Sequence, residues 1–395
     1  MDNKKTVVVG VTGGIAAYKA CELVSRLVKK NINVIVIMTK SATEFVAPYT
    51  FMTLTGNRVI TDMFEVPQNF EVEHISVAKQ ADLFVIVPAT ANIIGKIASG
   101  IADDFLSTTI MATQAPVLIA PAMNTNMWQN HIVQKNISFL KEIGYKFINP
   151  SSGRLACGDF GEGKLADIDD IEQAIEIDLC PAKDLVGKKV LVTAGATMEH
   201  IDPVRYITNP SSGKMGLAVA KAARNRGADV TLIAGNTEFD LCYGIKVIKV
   251  KSAVDMQVAV LDNFDDADIV VKSAAVGDYR AKNIAEHKIK KKSDELVVEL
   301  TKNPDILKHL GEIKTNQILV GFCMETENLE SNALKKLKEK NLDMIVANSL
   351  LTDGAGFKSD TNIVTIYTNK GDKISLPILS KYDVANEIFS RVLEL

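Results

Sequence analysis

A handful of residues stand where their types and spacing could do chemistry. Cys157 lies in Leu155-Ala-Cys-Gly-Asp-Phe-Gly-Glu-Gly163, with three glycines after the thiol. Mobile glycine-rich loops often serve as lids. A free cysteine is usually inert core, but these surroundings are not core-like and leave a chemical role open. His74 follows Glu71-Val-Glu73 and precedes an apolar segment; a lone histidine is a candidate acid–base group, though more often a satisfied structural residue. Asn124 sits in Pro121-Ala-Met-Asn-Thr-Asn-Met-Trp128. Its amide could hold a carboxylate, whereas Met127 and Trp128 more simply pack a core.

The second half carries a different set. In Asn209-Pro-Ser-Ser-Gly-Lys-Met-Gly216, residues Ser211, Ser212 and Gly213 open a helix and could cradle a phosphate through backbone and hydroxyl donors. A simple serine N-cap is the favoured reading of these residues taken alone. Gly213-Lys214 is not a P-loop, because Thr208 stands where that motif needs its first glycine. Asp278, in Lys272-Ser-Ala-Ala-Val-Gly-Asp-Tyr-Arg280, could hold Mg2+ or cap a turn. Lys288-Ile-Lys-Lys-Lys292 suits a polyphosphate, and the Lys335–Lys340 cluster, with Lys336 and Lys340, combines ligand-facing and solvated charge. Asn303-Pro-Asp305 reads as a helix cap, and Gly321-Phe322 ends a strand where a base could dock.

The elements that must position these residues alternate along the chain. Thr6–Val11, Ile32–Met38, Leu83–Val87 and Pro116–Ala120 are apolar, β-branched runs. Helical patterns at Ile15–Lys30, from Ala91, and at Trp128–Ile143 separate them. Continuous apolar strands between helices mean a parallel sheet covered on both faces. Ligands then sit beyond the carboxyl ends of the strands. That rule gathers Gly10–Ala16, Thr39–Ala42, Pro88–Asn92 and Pro121–Asn126 into one site. Gly13 and Gly14 let backbone approach an anion at the following helix N-terminus, or simply make a tight turn.

The pattern falters over 149–164, and a short helix is expected at Asp169–Ile177. It restarts with strands at Lys189–Ala194, Ala228–Ala234, Asp268–Val271, Ile318–Phe322 and Asp343–Val346. Helices at Ser212–Gly227, Asp305–Lys314 and Leu329–Lys340 lie between them. Two α/β, doubly wound domains follow, 1–178 and 188–395, joined by a linker at 179–187. The first reads as flavodoxin-like or Rossmann-like, the second as Rossmann-like.

The whole-chain figures agree. At 395 residues the chain is too long for one core of about 100–200 residues. Its hydrophobic fraction of 47% and charged fraction of 24% exclude disorder, collagen and disulfide scaffolds. A net charge of -3 gives no general reason to bind nucleic acid or membrane. The five cysteines are widely spaced without a CxxC pair, as expected of free thiols in a reducing compartment. With no signal-peptide core and no spanning segment, a cytoplasmic location is expected.

Taken in order, Gly13-Gly14-Ile15-Ala16, His74, Pro88-Ala-Thr-Ala-Asn92, Pro121-Ala-Met-Asn124 and the Cys157 loop closely resemble the flavin-containing cysteine decarboxylases. The branch is phosphopantothenoylcysteine decarboxylase, over essentially all of 1–178. The resemblance implies FMN, lined by Gly13, Gly14, Ile15, Ala16, Thr39, Ser41, Pro88, Ala89, Thr90 and Asn92. It implies conversion of 4'-phosphopantothenoylcysteine to 4'-phosphopantetheine. Direct loss of CO2 would leave a carbanion without an electron sink; oxidation of CH2–SH to a thioaldehyde supplies one. His74 would assist oxidation, Asn124 would bind the carboxylate and Cys157 would give a proton to the enethiol. Relatives often read Pro-Ala-Ser-Ala-Asn-Thr where this chain has Thr90 and Ile93. Thr90 keeps a hydroxyl; Ile93 loses one. A flavin prenyltransferase-like enzyme or a non-catalytic regulatory flavoprotein would share this fold. Neither explains the second half.

Residues 185–395 resemble phosphopantothenate–cysteine ligase, through Asp202-Pro-Val-Arg205, Asn209, Ser212-Gly-Lys-Met-Gly216, Lys288-Ile-Lys-Lys291 and Gly321-Phe322. The resemblance implies CTP and Mg2+, with the phosphopantothenate carboxylate attacking the α-phosphate and cysteine displacing CMP from the acyl-cytidylate. Asn209 would orient the acyl intermediate and Lys288 would stabilise its charge. Ser212, Gly213, Lys214, Asp278, Phe322, Lys336 and Lys340 would contact CTP, with Asp278 at the metal. Gly277, where relatives commonly have Ala, would loosen its loop. A trimer-based, dodecameric N-terminal assembly with dimeric ligase domains completes the expectation.

Overall fold

The computed structural model describes residues 4–64, 72–156, 158–237, 239, 242–290, 296–325, 328–349 and 359–395. Cys157, Glu71, Lys291 and Lys292 therefore lie outside the described residues. The chain forms two compact units, Met1–Pro181 and Ala182–Leu395.

The first unit is built on a parallel six-stranded sheet. From edge to edge its strands are Val59–Ile60, Asn33–Met38, Thr6–Val11, Leu83–Ala89, Val117–Pro121 and Lys146–Phe147. The strand order reverses between Thr6–Val11 and Leu83–Ala89, the switch point at whose carboxyl ends doubly wound sheets bind their ligands. Thr6–Val11 and Leu83–Ala89 are buried along their whole length, which explains their unbroken apolar runs. Helices Ala17–Lys29 and Ala91–Ala98 present regularly spaced apolar faces to the sheet, Leu23, Val24 and Leu27 on one, Ile93, Ile94 and Ile97 on the other.

Two expectations need correction here. The Trp128–Ile143 helix begins only at His131, because Asn130 caps it by accepting from the Ile132 N–H at 2.9 Å. A separate short turn, Thr125–Trp128, precedes it. The stretch 149–164 is not irregular: Ser151–Arg154 and Phe160–Lys164 pair as an antiparallel hairpin. Apart from the buried Gly163, its polar, glycine-rich strands are exposed or half-buried, and they lack the apolar alternation by which a strand is read from sequence.

The second unit has a mixed sheet of eight strands. Lys246–Lys249, Asp229–Ala234, Lys189–Ala194, Ile269–Lys272, Ile318–Glu325 and Met344–Ser349 run parallel. Val364–Thr368 and Lys373–Ser375 then add antiparallel. Side chains alternate between the faces, so Val190 and Val192 pack with Ile388 and Phe389 of the Lys381–Val392 helix. Leu191 packs on the other face with Phe264 and Leu310. Each such fully buried side chain contributes about 1.5–3 kcal/mol.

The Lys214–Asn225 helix does not start on a serine cap. Its N-cap is Gly213 in the left-handed region, φ 78°, where an added Cβ would meet Thr237 at 2.7 Å. Gly216, one turn on, lies so close to the Lys189–Ala194 strand that a Cβ would stand 2.5 Å from that of Ala194. The two glycines seat this helix against the sheet and leave its first turn without a side-chain cap.

Candidate functional sites

In the first unit the strand ends are stitched together by Thr12. Its hydroxyl donates to the Pro88 carbonyl at 2.6 Å and accepts from the Thr90 N–H at 3.1 Å. Gly13 passes so near Ser41 that an added Cβ would stand 2.3 Å from the serine Cβ. Gly14 is different: a Cβ there would meet only Thr90 Cγ2, at 3.7 Å. Thr39 and Thr90 each cap a following helix, accepting from Ala42 N–H and Ile93 N–H. The Ala16 N-cap makes no such bond; in the first turn of the Ala17–Lys29 helix the Ala17 and Lys19 N–H groups donate to the Gly14 and Ala16 carbonyls at 2.9 and 3.0 Å, which leaves the Tyr18 N–H for an anion. Gly13, Gly14, Thr39, Ser41, Pro88, Ala89 and Thr90 thus form one rim, with Ile15 and Asn92 exposed beside it.

Ile93 is 1% exposed and belongs to the core cluster of this unit, so the apolar residue there is a packing residue. The Pro121–Asn124 segment joins the rim through the Ala122 N–H, which donates to the Ala89 carbonyl at 3.0 Å. Asn124 Oδ1 accepts from Asn126 N–H at 2.8 Å, which turns the amide NH2 away from its own helix cap. That NH2 lies 3.5 Å from the Asp159 carboxylate. His74, in the first turn of the Glu73–Gln80 helix, meets the Phe105 ring edge-on at 6.3 Å between centroids.

The hairpin docks on the Asn124 segment. Met123 N–H donates to the Gly163 carbonyl at 2.9 Å, and Trp128 Nε1 donates to Glu162 at 3.2 Å. A Cβ on Gly163 would strike the Met123 carbonyl at 2.3 Å, and one on Gly161 would strike Thr125 Oγ1 at 2.6 Å. These glycines are demanded by close approach. Leu155 N–H to Asp159 O at 2.8 Å closes the tip in which Cys157 falls by sequence.

The second unit contains a cavity of about 810 Å³ beyond the carboxyl ends of its central strands. Ser212, Gly213, Lys214, Asp278, Phe322, Lys336 and Lys340 all line it. Asn209 and Lys288 do not. Asn209 Nδ2 instead donates to the carbonyls of Ala275 and Val276, at 3.4 Å each, on the loop that forms one cavity wall. Lys288 is exposed, on a segment held to the Asp202 turn: Ile289 N–H donates to Asp202 at 3.2 Å and Arg205 donates to the Ile289 carbonyl at 2.9 Å.

Lys272, Asn303, Asp305 and Lys381 also line the cavity; of these, only Asn303 and Asp305 stand out in sequence, and there as a helix cap rather than as site residues. Asp305 caps the Ile306–Ile313 helix and pairs with Lys340 at 2.8 Å. Burial alone would raise its carboxyl, but Lys340 and the Lys308 N–H hold it below the usual range. Burial and the nearby Lys214 push the Lys381 ammonium down. Asn303 donates to the Gly277 carbonyl at 2.8 Å, while Gly277 N–H donates to Thr197 at 3.0 Å. Gly277 is therefore tied on both sides.

Comparison with known proteins now adds to this geometry. The Flavoprotein family model matches residues 1–179, and the model for the DNA/pantothenate metabolism flavoprotein C-terminal domain matches 185–395. The coenzyme A biosynthesis bifunctional protein CoaBC of Bacillus subtilis is 50% identical over 100% of this chain and 98% of its own. The chain belongs to the CoaBC family. The CoaBC proteins of Haemophilus influenzae and Escherichia coli match at 42% and 40%, over 99% and 95% of this chain and 98% and 94% of theirs. Membership makes this CoaBC chain a bifunctional enzyme of coenzyme A biosynthesis, with a decarboxylase-type flavoprotein domain and a ligase domain. Among solved structures, the C-terminal domain of a CoaBC protein is 46% identical over 53% of this chain and 96% of that one, TM-score 0.47. The FMN-dependent cysteine decarboxylase SpaF is 30% identical over 45% of this chain and 98% of that one, TM-score 0.40. Among the described residues no helix is long and apolar enough to cross a membrane, and no group of three or more His, Cys, Asp or Glu side chains is arranged to hold a metal ion.

Proposed function

We propose that residues 188–395 join cysteine to 4'-phosphopantothenate at the expense of CTP, through an acyl-cytidylate, and that residues 1–178 decarboxylate the product to 4'-phosphopantetheine at an FMN site. The observation that carries the ligase half is the cavity in which Lys214, Lys336 and Lys340 accompany Asp278 and Phe322. Several ammonium groups neutralise a triphosphate, and one carboxylate suffices for Mg2+ that keeps its waters and the phosphate oxygens as remaining ligands. Ser212 and Gly213, at the uncapped start of a helix, suit a further phosphate. Asn209, through the loop it grips, would orient the acyl group, and Phe322 would stack the base. Lys288 would stabilise the charge of the intermediate.

In the first unit, the open edge at Gly14 and the uncapped helix beyond it fit the phosphate of FMN, and Thr39, Ser41, Pro88–Thr90 and Asn92 would line the rest. A flavin there supplies reversible hydride removal from the CH2–SH carbon. Asn124 would hold the departing carboxylate through its NH2, and His74 would assist proton movement. Cys157, which falls in sequence between the two hairpin strands, would give the proton that completes the product. The reading carries with it a cytoplasmic setting and a trimer-based assembly.

With phosphopantothenate and cysteine, CTP is expected to yield CMP, pyrophosphate and product, and ATP at equal concentration to give at most about a tenth of the rate, a difference of roughly 1.4 kcal/mol. Chromatographic quantitation of both nucleoside monophosphates checks this. Equal turnover of ATP would contradict cytidine selection, and no nucleotide cleavage would contradict the ligase reading.

A further inference from the structure

Lys272 ends the Ile269–Lys272 strand, is only 8% exposed, and lines the cavity of the second unit. Its ammonium makes no hydrogen bond or ion pair among the described residues. A buried ammonium without such a partner is costly. The charges facing it are Asp305, from the start of the Ile306–Ile313 helix, and Lys340, from the end of the Leu329–Glu339 helix. Asp305 is already matched by Lys340 at 2.8 Å, so the cavity holds an excess of positive charge at this point.

We infer that Lys272 is a further substrate-binding residue of the ligase site, donating to a phosphoryl oxygen at the strand end of the cavity. The inference rests on the ligase reading above. Either CTP or 4'-phosphopantothenate could bring that oxygen, and the two are separated by which Michaelis constant responds. Removal from water first, with Lys340 adding to it and Asp305 opposing, brings the Lys272 ammonium down to about 8. The charged form therefore prevails below that pH and is lost above it, so affinity for the anion falls as pH rises through about 8.

The test is Lys272→Met in the full chain. Methionine fills a similar volume without the charge. Steady-state ligation, varying CTP and phosphopantothenate separately, should show a rise of about 10- to 100-fold in KM for one of them, as expected for loss of a charge-assisted hydrogen bond. In the unaltered chain that KM should climb above pH 8; in the variant the climb should be absent. The ligand-free variant should melt no lower than the parent, and decarboxylation of supplied phosphopantothenoylcysteine should be unchanged. Inorganic pyrophosphate should raise the melting temperature of the parent more than that of the variant. Both KM values within twofold of the parent, or a lower melting temperature with unchanged KM, would overturn the assignment and make Lys272 structural. If the parent itself fails to ligate cysteine, the ligase reading fails, and equal pyrophosphate shifts in both chains would then overturn the Lys272 assignment separately.

Discussion

Lys288→Gln is expected to slow cysteine ligation by roughly 100-fold or more while decarboxylation of supplied phosphopantothenoylcysteine proceeds at the parent rate. Activation of a carboxylate places a pentacoordinate, highly charged phosphorus centre in the site, and removal of one cation or donor aimed at such charge typically costs about 10²–10³ in kcat. Glutamine keeps a polar head on a shorter stem but carries no charge. The structure gives this prediction a particular form. Lys288 is exposed, makes no ion pair among the described residues and does not line the cavity, so the folded unit does not depend on it. Asp202, which is fully buried, and Arg205 hold its neighbour Ile289. The loss should therefore appear in kcat for ligation, with the melting temperature unchanged. Assay of the two half-reactions on one preparation distinguishes the cases: an equal fall in both would refute separate sites.

Cys157→Ser is expected to release CO2 yet fail to finish, lowering phosphopantetheine formation by about 10²–10⁴, the usual contribution of a positioned proton donor. Serine is nearly isosteric, but its hydroxyl is a far weaker acid than a thiol of pKa about 8.5. The hairpin strands on either side of position 157 are fixed to the fold. The hairpin is anchored at Met123 and Trp128, and its Gly161 and Gly163 lie too close to Thr125 and Met123 to accept any side chain. The same hairpin brings Asp159 within 3.5 Å of the Asn124 amide. Mass detection of the enethiol, with CO2 counted in parallel, reads the result. Parent-level phosphopantetheine from the serine variant would remove Cys157 from the mechanism.

Much of the framework was legible in the sequence because fully buried parallel strands must be continuous apolar runs. Thr6–Val11 and Lys189–Ala194 coincide with their expected bounds for that reason. The hairpin over 151–164 was not legible, since its strands pack through glycine backbone and leave no alternating pattern. The two antiparallel strands Val364–Thr368 and Lys373–Ser375 were missed along with the Lys381–Val392 helix, which lies far along the chain from the Lys214–Asn225 helix it packs against. In the sites, residues following strands were legible as candidates, and of these Ser212, Asp278 and Phe322 line the cavity of the second unit. Lys272 and Lys381 were not legible, because in sequence a lysine reads as solvated, and only tertiary packing buries it. The serine cap failed for a related reason. Gly213 is forced into the left-handed region by the nearness of Gly195 and Thr237, contacts with no local signature.

The central claim is that one chain holds two independent sites for consecutive reactions. Mixing Lys288→Gln chains with Cys157→Ser chains, in the presence of phosphopantothenate, cysteine and CTP, tests it most directly. Neither preparation alone should form more than traces of 4'-phosphopantetheine. The mixture should form it at a substantial fraction of the parent rate, because the serine variant supplies phosphopantothenoylcysteine and the glutamine variant decarboxylates it. A mixture as inactive as its parts would contradict the account.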